Sequence, residues 1–521
     1  MVGTMEPGLF VELDGRGPRY AQITRALLGA VTTGALRPGA RLPPTRSLAK
    51  HLGCSRNIVL LAYEQLVLEG YFEARARAGT FVSTDLPRAT VHVEAKPAAM
   101  RVRRPSLSPS GRRLSQEAAS ARAVTRRTTR YAIDFMYGQS EPDPRVVRHL
   151  RRGFGKVLAE PFAFNYGDPA GDEGLRTEVA QRLRGSRGVA RPPAQIVITN
   201  GAQQALDICA RLLLRPGDRA LVEDPGYEAA WAVFRAAGAM VVPIAVDDEG
   251  LDPSALPAAP INTRLLYVTP SHQFPTGAIL SAARRHRVRS WARRHNVHIL
   301  EDDYDGELRY HGHAIKALAA AESDNDVIYC GTFAKSLFPS VRLGYLALPA
   351  ALAPAAANAK WLIDRGASPL LQRLLRNLMR SGEYDRHLRR MQRRYAVRRN
   401  ALVLALQSNL GDEIDVGGDE AGMHLVAWFP RLGPVEVDAL VAACRTRDIG
   451  VYSIARHSLR AMTRGGLILG YGLLDVPAIE EGVRGLAAAY RECVTGERPP
   501  STRTRAARRS PARSRTPHGT R

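Results

Sequence analysis

The chain has 521 residues, enough for more than one domain, and its 45% hydrophobic content can build a large core. No window approaches the roughly 18 uninterrupted apolar residues of a membrane span, and the five scattered cysteines lack the C-x-x-C spacing of a zinc site or the pattern of a disulfide framework. The formal charge of +24 is concentrated: residues 87–130 hold eleven Lys/Arg against Glu94 and Glu117, and residues 495–521 hold eight Arg against Glu497. Such segments read as disordered basic arms that can meet phosphate backbones without reading sequence, or as solvated tails with no partner.

Residues 1–14 carry acids and lack the charged-then-apolar layout of a signal peptide, so a reducing, cytoplasmic location is expected. An amphipathic helix starts after Pro18, with Ile23, Leu27 and Val31 on one face, and the stretch from Gly34 to Gly39 breaks it. Pro44-Thr45-Arg46 opens a second, short helix that Gly53 stops. Ser55 is placed as N-cap of a third helix, 56–69, ended by Gly70. Two helices joined by a tight glycine turn make a helix-turn-helix, whose second helix brings its N-terminal residues, here Ser55, Arg56 and Asn57, to base edges and phosphates. Residues 71–82 read as a two-strand hairpin with Arg75 and Arg77 near its tip. The run L-x-P-G-x-R-L-P-P-T-R-x-L-A, then L-G-x-S-R-N, Y-x-Q-L-x-x-E-G-Y and G-T-F-V resembles the GntR winged-helix domain. That resemblance implies contacts to double-stranded DNA from Arg46, Arg56, Asn57 and the wing residues Gly79 and Thr80. A generic helix pair is the plain alternative, and the hairpin that follows at once counts against it.

Residues 87–130, rich in Pro, Ser, Arg and Ala with no sustained period, read as a flexible basic linker between a domain at 1–86 and one at 131–493. A disordered tail follows from 494. Beyond the linker, short apolar runs alternate with helical stretches: 196–199 before a helix at 205–214, 220–223, 241–244, 265–268 before a basic helix at 282–295, and 297–300. That order indicates an α/β sheet with ligand groups at its strand ends. Residues 355–400 read as long Arg-rich helices leading to a smaller lobe at about 401–490. Asn200-Gly201-Ala202-Gln203 joins a strand to a helix N-terminus, which can cradle a phosphate. The adjacent Asp302 and Asp303 lack a third ligand at matching spacing, so no metal site is expected.

In the run D-V-I-Y-C-G-T-F-A-K-S-L-F-P-S-V-R-L-G-Y (326–345), an apolar strand and a Gly-Thr turn present Lys335, with Arg342 seven residues on. A lysine among apolar strands is costly to desolvate unless its amine is tuned or used covalently, and lysine amines form Schiff bases with carbonyl cofactors. Thr332 and Arg342 suit a phosphate. An ordinary surface Lys–Arg pair is the plain alternative. The stretch resembles the cofactor-lysine segment of fold type I pyridoxal 5'-phosphate (PLP) enzymes, and most closely the form in the MocR subgroup of GntR-type regulators. The resemblance implies PLP bound on Lys335, Asp302 at the pyridine nitrogen, Tyr304 at the ring hydroxyl, Tyr227 stacked on the ring, and the amides of Ala202 and Gln203 at the phosphate. It also implies that Tyr166 reaches the phosphate in a partner subunit, hence a homodimer.

Two positions depart from working aminotransferases. Ile468 stands where an arginine commonly clamps the substrate carboxylate, with Arg464 or Arg456 as substitutes, and Phe274-Pro-Thr-Gly replaces N-P-x-G, with His272 or Gln273 as replacements for the asparagine. The expected architecture is therefore an N-terminal winged helix plus a fold type I aminotransferase-like α/β domain with a smaller α+β C-terminal lobe. The expected function is a PLP-dependent transcription regulator that senses PLP, or an amine or amino-acid effector, through Lys335. An active aminotransferase with an appended DNA-binding domain, and a regulator whose second domain is only a scaffold, are the rival readings.

Overall fold

The computed structural model describes residues 12–76, 78–86, 106–125, 131–160, 166–310, 315–320 and 326–495. The chain divides into two compact units, Met1–Pro105 and Ser106–Arg521. In the first unit, α1 (Arg19–Thr32), α2 (Thr45–His51) and α3 (Arg56–Leu68) precede the hairpin β1 (Phe72–Arg75) and β2 (Gly79–Val82). Ile23, Leu27, Leu48, Val59, Leu66, Phe72 and Val82 form its core. Tyr63 ties the pieces together: its hydroxyl donates to the Pro43 carbonyl at 2.9 Å, and its ring meets Phe72 edge-on at 5.7 Å. Gly53 (φ +60°) and Gly70 (φ +78°) take the left-handed turns that end α2 and α3. The expected helix-turn-helix and wing are thus present. Arg77, placed at the wing tip from sequence, lies outside the described residues.

The second unit opens with α4 (Pro109–Thr125) and β3 (Ile133–Asp134), then α5 (Pro144–Leu158) and α6 (Glu173–Arg187). The alternating region follows: β4 (Ile196–Thr199), α7 (Ala202–Leu213), β5 (Arg219–Asp224), α8 (Glu228–Ala236), β6 (Met240–Asp247), β7 (Gly250–Leu251), β8 (Thr263–Val268), α9 (Ala282–His295), β9 (His298–Asp303), β10 (Val327–Thr332) and β11 (Gly344–Ala347). These strands form one sheet in the order β4-β11-β10-β9-β8-β5-β6-β7. Its centre, from β10 to β6, is parallel, while β4, β11 and β7 pair antiparallel. Buried on both faces, the central strands read as continuous apolar runs, which is why they were visible in sequence. Helices α10 (Ala353–Asp364), α11 (Pro369–Arg380) and α12 (Glu383–Leu410) lead to the smaller lobe, where β12 (Asp415–Gly417), β13 (His424–Phe429), β14 (Ile449–Gly450), β15 (Tyr452–Ser453) and β16 (Gly465–Gly470) accompany α13 (Pro434–Arg445) and α14 (Val476–Thr495). β3 pairs with β14, so residues 133–134 belong to this lobe as well.

One expectation is corrected. Residues 109–125, read as part of a flexible linker, form α4, which packs on α8 and sets Glu117 3.9 Å from Arg235. The stretch is full of strong helix formers, and the Ser108 hydroxyl accepts from the Gly111 amide at 3.0 Å at its start. It shows little hydrophobic period because none of its described side chains is fully buried. The remaining linker residues, 87–105 and 126–130, and the basic tail from 496 lie outside the described residues. No helix among the described residues is long and apolar enough to cross a membrane.

Candidate functional site

The C-terminal ends of β8, β9 and β10 and the N-terminus of α7 open onto one cleft of about 1060 Å³. It is lined by Lys335, Asp302, Tyr304, Thr332, Arg342, Tyr227, Ala202 and Gln203, eight of the nine cofactor residues expected from sequence. The ninth, Tyr166, is 82% exposed and does not line this chain's cleft. β10 carries the chain to Thr332, and three residues later Lys335 points back so that its Nζ donates to the Gly138 carbonyl at 2.6 Å. Burial lowers the lysine pKa, against the pull of Asp305 and Asp302, which favours the neutral, nucleophilic amine.

Asp302 ends β9. Its Oδ2 accepts from the Tyr267 hydroxyl at 2.8 Å, and its Oδ1 is buried with no donor. Burial raises its pKa to about 7, a Tyr267 hydrogen bond opposing and the neighbouring Asp303 and Asp305 adding to the rise. An orphaned carboxylate oxygen in a cleft fits the ring N–H of a pyridinium, which would supply both a donor and a positive charge. The Tyr304 hydroxyl lies 3.1 Å from His272 Nδ1, and that nitrogen lies 2.8 Å from Asp305. Tyr227 is the N-cap residue of α8 and meets Phe274 edge-on at 5.8 Å. At the other end, Gly201 (φ +83°) turns the chain into α7, which has no side-chain cap and so leaves its first amides open to an anion. Arg342, itself left-handed at φ +48°, donates to the Asn200 carbonyl at 2.9 Å. The residues present therefore fit PLP at the amine, the ring nitrogen and the phosphate.

Asp303 faces away from this chemistry. It pairs with Arg187 at 2.8 Å and accepts from Tyr329 at 2.5 Å, bracing the loop. His272, Asp305 and His424 bring ligand atoms within 4.8 Å of one another, but His272 Nε2 also faces the Gly418 carbonyl at 3.3 Å and His424 Nε2 the Pro275 carbonyl at 3.1 Å. These hydrogen bonds account for the cluster without an ion.

The substitutes weighed for the two departures do not line the cleft. Ile468 is fully buried with Val426 and Ile454. Arg464 pairs with Asp415 and lies 5.0 Å over the Trp428 ring, and Arg456 is exposed. Gln273 spends its amide on the Pro225 and Phe274 carbonyls at 2.9 and 2.6 Å. Sequence reasoning missed Gly138, Tyr267 and the cleft-lining Tyr137 and His424. No local motif marks them, because each reaches the site from a distant part of the chain.

In the winged-helix unit, Arg46, Ser55, Arg56 and Asn57 are exposed together at the start of α2 and α3. Ser55 occupies the N-cap position of α3 without spending its hydroxyl on the helix. Arg56 Nε donates to Thr45 Oγ1 at 3.3 Å. On the wing, Arg75 lies 4.6 Å over the Phe81 ring, and Gly79 is left-handed at φ +112°. The Thr80 carbonyl accepts from the Leu42 amide at 2.8 Å. A Cβ at Gly79 would come within 3.4 Å of the Arg41 guanidinium, so Arg41, which sequence reasoning did not select, joins the wing face.

Residues 19–82 match the family of bacterial regulatory proteins, gntR family, and residues 132–465 match aminotransferase class I and II. The chain is 35% identical over 488 residues to the probable rhizopine catabolism regulatory protein MocR of Rhizobium meliloti, covering 92% of this chain and 96% of that protein. It is 30% identical over 479 residues to the pyridoxine biosynthesis transcriptional regulator PdxR of Corynebacterium glutamicum, covering 91% and 95%. Among solved structures, LysN, the alpha-aminoadipate aminotransferase of Thermus thermophilus complexed with N-(5'-phosphopyridoxyl)-L-leucine, superposes with a TM-score of 0.66 at 25% identity, covering 75% of this chain and 98% of that one. The chain thus belongs to the MocR subgroup of GntR-type transcription regulators, in which a winged helix is joined to an aminotransferase class I and II domain.

Proposed function

We propose that this regulator binds PLP in the Lys335 cleft and that occupancy of the cleft, by PLP alone or with an amine or amino-acid effector, changes how its winged helix engages operator DNA. The observation that carries the reading is the convergence of Lys335, the orphaned Asp302 Oδ1 and the uncapped α7 N-terminus on one cleft. PLP supplies an aldehyde that reacts with an amine and a ring that withdraws electrons. The protein's groups do the rest. Lys335 offers its amine, Asp302 holds the ring N–H, Tyr227 lines the ring's place, and Ala202, Gln203, Thr332 and Arg342 meet the phosphate. Tyr166, exposed on its own chain, would complete the phosphate site of a second copy in a homodimer.

Helix α4 gives the occupant a route to the DNA-binding unit. Ser110, Arg113, Leu114 and Ala118 of α4 line the same cleft as Lys335, and α4 lies in the stretch of chain leading back to the winged helix. A cleft whose contents alter the seating of α4 alters the reach of the tether. Turnover as an aminotransferase is the weaker reading, because Ile468 and its neighbours bring no arginine into the cleft.

The test is titration of the purified protein with PLP, followed by visible absorption. The wild type is expected to develop a visible band that borohydride fixes to the chain, and Lys335→Ala is expected to develop none. Equal behaviour of the two proteins would overturn the reading.

A further inference from the structure

The strand–turn–helix joint at the phosphate end is braced from behind by a partly buried network that no local sequence motif marks. Asn200 is held at three atoms. Its amide donates to Gln204 Oε1 at 2.8 Å, its side-chain Nδ2 donates to Asp364 Oδ2 at 2.6 Å, and its carbonyl accepts from Arg342 Nη2 at 2.9 Å. Gln204 Nε2 also donates to Asp364 Oδ2 at 2.6 Å. Behind both lies Lys360 of α10, fully buried, whose Nζ donates to Gln204 Oε1 at 2.8 Å and to the two Asp364 oxygens at 3.0 and 2.9 Å. The Gly366 amide donates to Asp364 Oδ1 at 2.9 Å and completes its surroundings.

An ordinary i,i+4 ion pair on a helix surface contributes little and touches nothing else. This pair differs on both counts, since the lysine is buried and the carboxylate serves the turn that precedes α7. Burial is expensive for a lysine unless it is paired, and an unpaired carboxylate beside a phosphate site would repel the ligand. Together the two charges cancel, and their hydrogen-bonding capacity goes to Gln204 and Asn200. The backbone they hold is the part that needs holding, because Gly201 (φ +83°, ψ 173°) is in a region that side chains rarely adopt, and its setting decides where the first amides of α7 point.

We infer that Lys360 and Asp364 are positioning residues for the phosphate monoester of the bound ligand: they fix the Asn200–Gly201 turn and, through the Asn200 carbonyl, the Arg342 guanidinium, so that amides and guanidinium face the phosphate before it arrives. The inference rests on the proposed binding of PLP in this cleft. It extends that reading to residues outside the cleft wall and gives them a role specific to the phosphate rather than to the ring.

Pyridoxal and PLP differ only in that phosphate, so the pair of ligands isolates the effect. Wild type, Asp364→Ala and the double variant Lys360→Met/Asp364→Ala are titrated with each, and thermal unfolding is recorded alongside. The double variant removes both charges together and avoids leaving a buried lysine unpaired, so it carries the test where the single variant folds poorly. Both variants are expected to bind PLP at least about tenfold more weakly while pyridoxal affinity changes by less than about twofold. Parallel loss of both ligands, or loss of neither, would overturn the phosphate-specific role. Failure of the wild type to bind either aldehyde would instead remove the cofactor reading itself, and this inference with it.

Discussion

Asp302 and Tyr267 share a single hydrogen bond of 2.8 Å, and that bond leaves the second carboxylate oxygen of Asp302 buried without a donor. Burial raises this carboxyl to about 7, so in the empty cleft its ionised fraction grows as pH rises through that value. The ionised form is the one that holds a ring N–H, and deprotonation of Lys335 acts in the same direction. PLP affinity is therefore expected to rise between about pH 6 and about pH 8, and Asp302→Asn to weaken binding and flatten the rise. A titration series across that range checks it.

The same carboxyl has a signature in folding stability. A group whose folded pKa lies above its unfolded value keeps a proton that the unfolded chain has lost, so its stabilising contribution is full below the usual carboxylate range and is lost progressively as pH rises from about 4 to about 7. Ligand-free Asp302→Asn, which mimics the neutral form, should gain stability relative to wild type above that pH even as it binds PLP worse. Thermal unfolding at about pH 4 and at about pH 8 reads the difference.

Helix α4 should transmit the state of the cleft. As a helix its 17 residues span roughly 25 Å, whereas extended they could reach more than about 50 Å. Ala119→Pro, at an exposed position of α4 that does not line the cleft, breaks a helix interior at a cost of about 3 kcal/mol and is expected to leave PLP binding largely intact while abolishing its effect on DNA binding. Comparing operator affinity of the variant with and without PLP tests this.

On the winged helix, Arg56→Ala or Asn57→Ala should cost about 1–3 kcal/mol at the specific operator and much less on unrelated DNA. Arg41→Ala, on the wing face, should weaken both by a similar factor and lower the salt dependence, as a phosphate contact does. Electrophoretic or anisotropy titrations at two salt concentrations separate the cases.

Much of this architecture was legible in the chain. The buried central strands are unbroken apolar runs, and α9 was readable to the residue because Ser281 caps its start, with a side chain accepting from Arg284, and Asn296 (φ +54°) ends it. Lys335, Thr332 and Arg342 sit in one short segment, so their spacing carried the site. What stayed hidden was long-range or aperiodic. Asp364 meets Asn200 across 164 residues, and Gly138 meets Lys335 across 197, so no local pattern connects them. Helix α4 has good helix formers but no buried stripe, and periodicity is the signal by which such elements are found. The strand at 133–134 is two residues long and is defined only by its partner at 449–450.

The central claim is that cleft occupancy controls DNA recognition, and the most direct measurement is affinity for the DNA upstream of the protein's own gene, at one fixed moderate salt, with and without PLP. Fixed salt matters because the basic segments alone would give sequence-blind, salt-sensitive binding. The account expects PLP to change specific affinity in the wild type and to change nothing in Lys335→Ala. Specific binding that is identical with and without PLP in the wild type would contradict it.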